Sequence, residues 1–194
     1  MSDVGRFGLG DMGDVGPKRA DKMDDLYVGL YPSLVGSGPS NADVVNGDYI
    51  RTWPFFIPTT QRFDEFVWLQ LALGAATYMR FGIYTNKMGT LYPDKLIWAG
   101  QEWNLATMGV YYKEESIPSY LTLSGPRIYW LASHKGGNNA SYGRMTGIAP
   151  HLPTYRVNSA YGALPATFPA EESSFLSADY PAAAWLHRAF PPWT

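Results

Sequence analysis

The chain has 194 residues, a net charge of −2 and no cysteine. That length supports one domain with an extension and a full hydrophobic core. Disulfides, thiolate metal sites and cysteine nucleophiles are excluded, and the absence of a basic excess removes the electrostatic footprint of a nucleic-acid binder. Aromatic residues make up 15% against 16% charged, with 20 glycines and 15 prolines. Such a composition describes short strands joined by turns.

In chain order, "MSDVGRFGLGDMGDVGPKRADKMDD" (1–25) carries five glycines and ten mixed charges with few apolar residues. Such a segment does not order itself, so it reads as an arm that needs a partner, most simply a neighbouring subunit. It has no apolar core segment of the kind a signal peptide requires, and no apolar run in the chain reaches membrane-spanning length. "GLGDMG" (8–13) matches the dinucleotide fingerprint formally. It lacks the preceding buried strand and the following helix that would place its glycines against a pyrophosphate, so the match reads as a glycine-rich arm. Residues 25–48 mix short apolar pieces with turn formers and read as a connector docked on the domain.

From Tyr49 the pattern becomes regular. "YIRTWPFFIP" predicts a strand in which Pro54 marks an edge or bulge. "FVWLQLALG" alternates Val67, Leu69, Leu71 and Leu73 against Phe66, Trp68, Gln70 and Ala72. "YMRFGIYT" places Met79, Phe81 and Ile83 on one face and Tyr78, Arg80, Gly82 and Tyr84 on the other. "NKMGTLYPDK" is a loop, and "LIWAG", "YLTLSG", "RIYWLASH" and "AAAWLHRAF" supply the remaining strands. Residues 135–160 read as a long polar loop region, and no helix or repeat is expected. Turn signals every 8–12 residues or so favour a sandwich over βαβ units. The expected fold is all-β, an antiparallel jelly-roll-like sandwich over 49–194 with an attachment arm and connector over 1–48. Its core should include Val67, Leu69, Leu71, Phe81, Ile83, Trp130 and Leu131, with Trp68 also inside.

Chemistry-bearing motifs are sparse. His134, His151 and His187 show no metal-ligand spacing, so no metal and no cofactor are expected. Asp64-Glu65, Glu114-Glu115 and Glu171-Glu172 are sequence neighbours, which point to opposite faces of a strand rather than across a scissile bond. Nothing in the sequence nominates a cross-cleft pair, such as Glu102 with Glu115, and the carboxylates read as solvated loop charges. "NNAS" (138–141) is a glycosylation sequon without a secretory signal to give it meaning, and no GxSxG or SxxK nucleophile appears. The loop aromatics remain: Trp98, Trp103, Tyr111, Tyr112, Tyr142, Tyr155 and Tyr161 lie in or near loops and strand ends, beyond what one core needs. Trp98, Trp103, Tyr111, Tyr112, Tyr142 and Tyr155 are candidates for a glycan platform with Asn138, Asn139 and Arg144 beside it, because sugar rings stack on aromatic faces. The competing reading is that these rings fill the core or subunit contacts.

The order of segments resembles a known module. A strand ending in proline leads to Phe63-Asp64 and an amphipathic strand, then to the Arg80–Tyr84 "R-x-GIY" strand and a short return strand. "LTLSGPRIYWLASHKGG", "ALPATFPA" and a closing "PAAAWLHRAF" follow. Together, over residues 49–190, they resemble a β-sandwich module of tailed-bacteriophage virion proteins, found in minor tail, fibre, spike and head-decoration proteins. The module's "GGxPG" loop stands here as "MGTLYPDK", and residues 1–25 lie outside the likeness. The resemblance implies a non-enzymatic structural protein of the virion exterior, in tail or capsid. It implies a homotrimer joined to other virion proteins through residues 1–48, with a host-surface glycan as a further partner and neither nucleic acid nor membrane insertion. It also implies that Gly82 allows a close approach and that Arg80 reaches a carboxylate or carbonyls. A carbohydrate-binding receptor-recognition module is the alternative, and a small polysaccharide-degrading enzyme the third reading.

Overall fold

A computed structural model describes residues 25–28, 48–72, 77–106, 112–137, 141–142, 154–170, 175–177 and 184–189, some of them by backbone alone. All of the regular structure described is β-strand: β1 (Asp25–Val28), β2 (Tyr49–Ile57), β3 (Gln61–Ala72), β4 (Tyr78–Asn86), β5 (Pro93–Ala99), β6 (Trp103–Asn104), β7 (Tyr112–Leu123), β8 (Arg127–Gly136), β9 (Ser141–Tyr142), β10 (Thr154–Asn158), β11 (Phe175–Ser177) and β12 (Ala184–Arg188). They form two antiparallel sheets. The five-stranded sheet runs β1-β12-β3-β7 with β9 also on β3, and the seven-stranded sheet runs β11-β10-β2-β8-β4-β5 with β6 also on β4. Asp25–Val28, at the start of the expected connector, is the edge strand of the smaller sheet. Residues 1–24 and 29–47, and with them most of the arm and connector, lie outside the described residues.

The sheets pack face to face as a β-sandwich, because alternate residues of each strand carry large apolar groups. Trp53, Phe55 and Ile57 of β2, Met79, Phe81 and Ile83 of β4, and Tyr129 and Leu131 of β8 meet Phe63, Phe66 and Trp68 of β3, Ile117, Leu121 and Leu123 of β7, and Leu186 of β12. Phe81 sits between Phe66 and Trp68, at 5.1 and 5.2 Å between ring centroids. The expected faces of β4 hold. Those of β3 separate as expected, and Val67 and Trp68 are both buried, but it is Phe66 and Trp68 that fill the space between the sheets while Val67 points the other way. Large apolar residues stand on both faces of β3, so alternation alone does not say which face meets the partner sheet. The side chains of Leu69 and Leu71 lie outside the description. "TYRVN" within the expected polar loop is β10, whose Tyr155 and Val157 face the protein; five residues are too few for alternation to show. Pro54 lies two residues past the point where β10 stops pairing with β2 at Thr52, so its missing amide falls on a locally free edge.

β7 is an edge strand that resists further pairing. Lys113 and Glu115 lie opposite Trp68 and Phe66 and so point inward, and four residues (117–120) stand against Asp64 alone in a wide bulge containing Pro118. Ser119 and Tyr120 take left-handed φ angles of 64° and 59° there. Inward charge, a proline and a bulge all discourage sheet extension. On the same bulge, Asp64 Oδ1 and His187 Nδ1 meet at 2.7 Å, joining β3 to β12.

The seven-stranded sheet has a second apolar face. Ile50, Tyr84, Trp130, Ala132, Tyr155 and Val157 form its outer surface, and they are covered by Tyr92 and by Leu164 and Phe168 from the segment 159–170. This strap runs beside β5. Leu96 N–H donates to Ala166 O, Phe168 N–H to Asp94 O, and Lys95 Nζ to Thr167 Oγ1. Tyr84 and Tyr92 hydroxyls donate to Pro165 O and Pro169 O, so the strap's prolines, which offer no amide, still contribute acceptors. Burying Leu164 and Phe168 stabilises the fold by about 1.5–3 kcal/mol each.

Gly82 is one of the places where the strap touches the sheet. A Cβ added there would lie 2.5 Å from Leu164 Cδ1 and 2.9 Å from Trp98 O. Gly82→Ala should therefore destabilise the fold by about 1–3 kcal/mol, the range for overpacking. Leu164→Ala in the same chain should recover only part of the loss, because the Trp98 carbonyl cannot retreat. A thermal-melting double-mutant cycle measures both terms.

Candidate functional site

Alternation on β4 sends Tyr78 and Arg80 outward, toward solvent rather than the inter-sheet core. The β4–β8 register sets Tyr78 opposite Gly136 and Arg80 opposite His134 on that outer face. Two further pieces reach the same place. The turn after β5 brings Glu102, and the first residues of the strap bring Tyr161. Arg80 Nη2 donates to Glu102 Oε2 at 2.9 Å, and the Tyr161 hydroxyl donates to the same oxygen at 3.0 Å. Tyr78 and Tyr161 rings stack with centroids 6.0 Å apart and planes 26° from parallel. Arg80 does reach a carboxylate, as the resemblance implied.

The floor of this patch is fixed. Tyr161 lies over Gly136 so closely that a Cβ there would sit 2.5 Å from the ring. His134, fully buried beneath, contacts the Tyr161 ring at 5.1 Å, and its Nε2 meets Ser159 O at 3.2 Å, which requires the Nε2–H tautomer. Ser159 N–H in turn donates to Asp48 O, and Asp48 N–H to Lys135 O, so the strap's entry is tied to the ends of β2 and β8. Burial lowers the His134 pKa and keeps the ring neutral. Burial, reinforced by the hydrogen bond to Glu102, raises that of Tyr161. The rim is open: Tyr78 is 36% exposed, and the Arg80 and Glu102 side chains 30% and 40%.

Chemically the patch is a ring surface beside a charge-balanced polar pair. Both bonds to Glu102 go to Oε2, leaving Oε1 outside them, and only Nη2 of Arg80 is engaged by Glu102. An exposed ion pair of this kind adds about 1 kcal/mol or less to stability.

Three of the six aromatics proposed from sequence have described side chains, and all three go elsewhere. Trp98 is half-buried with its ring 5.2 Å from Phe66, Trp103 stands edge-on to Trp68 within the core, and Tyr155 packs on Tyr92 and Trp130 in the second cluster with its hydroxyl on Leu91 O. Trp103 and Tyr155 are only 6% and 8% exposed. Trp98 and Trp103 lie on the inter-sheet side and Tyr155 on the outer side, so the three form no common platform; in a sandwich this aromatic the rings are what fills both cores. Tyr112 and Tyr142 are described by backbone only, in β7 and β9, and Tyr111, Asn138, Asn139 and Arg144 lie outside the described residues.

Glu102 and Glu115 do not face each other. Glu102 works on the outer face, whereas Glu115 projects inward from the opposite sheet, where Oε1 accepts Gln101 N–H at 2.7 Å and ties the sheets together. Burial raises the Glu115 pKa. The hydrogen bond from Gln101 N–H, and after it the nearby Trp103 indole, oppose that shift. A separate group of cations, Arg51, Lys135 and Arg156, gathers about Tyr49, with Arg51 and Arg156 over its ring at 5.5 and 4.8 Å. Burial, and then Arg51, pull the Lys135 pKa down to about 8. Among the described residues no group of three or more acidic, histidine or cysteine side chains could hold a metal, and no helix is long and apolar enough to cross a membrane. No family model matches the chain, and no curated protein matches it significantly.

The buried histidine generates a pH test. Unfolded histidine takes up a proton near pH 6.5, whereas buried His134 resists it, so stability falls as pH drops below that value. Glu115 acts oppositely, since its raised pKa favours the folded chain as the medium becomes acidic. Urea midpoints from about pH 5 to 7.5, compared between the native chain and His134→Gln, isolate the histidine; the variant should show a smaller loss toward acid.

Proposed function

We propose that this chain is a non-enzymatic structural protein of a bacteriophage or phage-like particle. It forms a fibre, spike or decoration anchored through residues 1–48 with a jelly-roll-like head facing outward. The observation that carries this reading is that the segments giving the resemblance each serve architecture. Phe63-Asp64 begins the bulge that His187 closes, Arg80 is held by Glu102, Gly82 lies under Leu164, and the "LPATFP" run is the strap over the second core. A protein assembled on a repeating particle needs such closure: a rigid head, a protected sheet edge and a separate means of attachment. The head acts as a trimer, the closed assembly that suits a symmetric particle. The alternative, a carbohydrate-binding receptor-recognition module, is favoured by the exposed Tyr78 ring beside Arg80 and Glu102, and the two roles are compatible in one fibre.

Antibodies raised against the purified chain should label particles from the source that carries its gene, at regularly spaced positions. Deleting residues 1–24, which retains β1, should leave the melting temperature within about 2 °C of the full chain and abolish incorporation into particles. Light scattering should give three chains per assembly. Particles without label, or normal incorporation of the truncated chain, contradict the reading.

A further inference from the structure

The outer-face patch has the composition of a binding site, and its charge balance selects the ligand. We infer that Tyr78, Arg80, Glu102 and Tyr161 form a binding site for a neutral saccharide. Tyr78 offers an exposed ring at the rim, braced from behind by its stack on Tyr161, and a pyranose presents an apolar C–H face of matching shape. Beside the ring, Arg80 supplies N–H donors and Glu102 Oε1 an acceptor, held side by side by the 2.9 Å bond between them. Vicinal hydroxyls, which both donate and accept, fit that pair. A phosphate or carboxylate ligand would meet the Glu102 carboxylate, and a cationic ligand the Arg80 guanidinium; an uncharged polyol meets neither penalty.

The site is also pre-organised. Tyr161 cannot swing inward, since Gly136 and His134 lie directly under it, and its hydroxyl is committed to Glu102. The rings and the ion pair therefore stand in place before a ligand arrives, and little ordering cost remains. One stacked sugar ring with two or three hydrogen bonds gives a Kd of about 1 mM. Useful avidity then comes from several copies, as on a trimer repeated over a particle. In that last respect the inference rests on the particle reading; the binding itself does not.

The test uses the isolated full chain, so it is separable from particle labelling. Methyl glycosides of glucose, galactose, mannose, rhamnose and N-acetylglucosamine are titrated to about 50 mM, well above the expected Kd, while the tyrosine ring signals are followed by NMR. At least one should shift Tyr78 and Tyr161 saturably. Tyr78→Ala and Glu102→Ala should each weaken that binding about tenfold or more without lowering the melting temperature appreciably. Tyr78→Phe should retain it, and Met88→Ala, at the exposed tip of the β4–β5 turn, should leave it unchanged. The inference is overturned if none of the five sugars moves these rings, if binding survives Tyr78→Ala, or if sialic acid binds in preference to all of them.

Discussion

The structure depends on the covering of a sheet that is apolar on both sides. β4 carries Met79, Phe81 and Ile83 toward the partner sheet and Tyr84 away from it, and β8 repeats the arrangement with Tyr129 and Leu131 against Trp130 and Ala132. A two-layer sandwich satisfies only the first set. Left open, the second would expose a continuous aromatic surface to water. The strap of residues 159–170 closes it with two apolar anchors, Leu164 and Phe168. Backbone bonds to Asp94 and Leu96 hold it, together with the hydroxyls of Tyr84 and Tyr92. Burial raises the Tyr84 pKa, keeping the hydroxyl protonated as the donor that this contact needs.

The outer-face patch follows from the same closure. Because the strap must enter from the end of β10 and turn over Gly136, Tyr161 is laid beside Tyr78 and above Glu102. Because Gly82 and Leu164 fix the strap further along, that placement is not free to drift. Packing therefore sets the geometry of the polar pair, and the pair itself contributes little to stability. Such a division suits recognition, since the residues that meet a ligand can change without loss of the fold.

Sequence reading recovered what is local and periodic. The alternation of "YMRFGIYT" assigned both faces of β4. It failed where periodicity is ambiguous or absent. Both faces of β3 are apolar, so alternation could not say that Phe66 and Trp68, rather than Val67, look at the partner sheet. The strap has no period at all: Leu164 and Phe168 are separated by Pro165, Ala166 and Thr167, and its hydrogen bonds go to strands some 70 to 80 residues earlier in the chain. The outer-face patch was hidden for the same reason, since Arg80 and Glu102 are 22 residues apart and Tyr161 a further 59. Loop aromatics such as Trp103 and Tyr155 drew attention by their type, but ring type does not distinguish a solvent-facing platform from a core. Tyr161 stands out in the sequence as one more loop aromatic, but nothing in the sequence places it over Gly136 or beside Tyr78.

The most direct test of this account is the double substitution Leu164→Ala/Phe168→Ala, followed by chemical denaturation and by NMR of the Tyr78 and Tyr161 rings. If the strap closes the second core and builds the patch, unfolding free energy should fall by about 4 kcal/mol or more, as expected for two large core truncations. The contact between the two tyrosine rings should be lost in the still-folded fraction. A loss of about 1 kcal/mol or less, with the ring contact intact, would contradict the account, because the outer face of the sheet would then be stable without its cover.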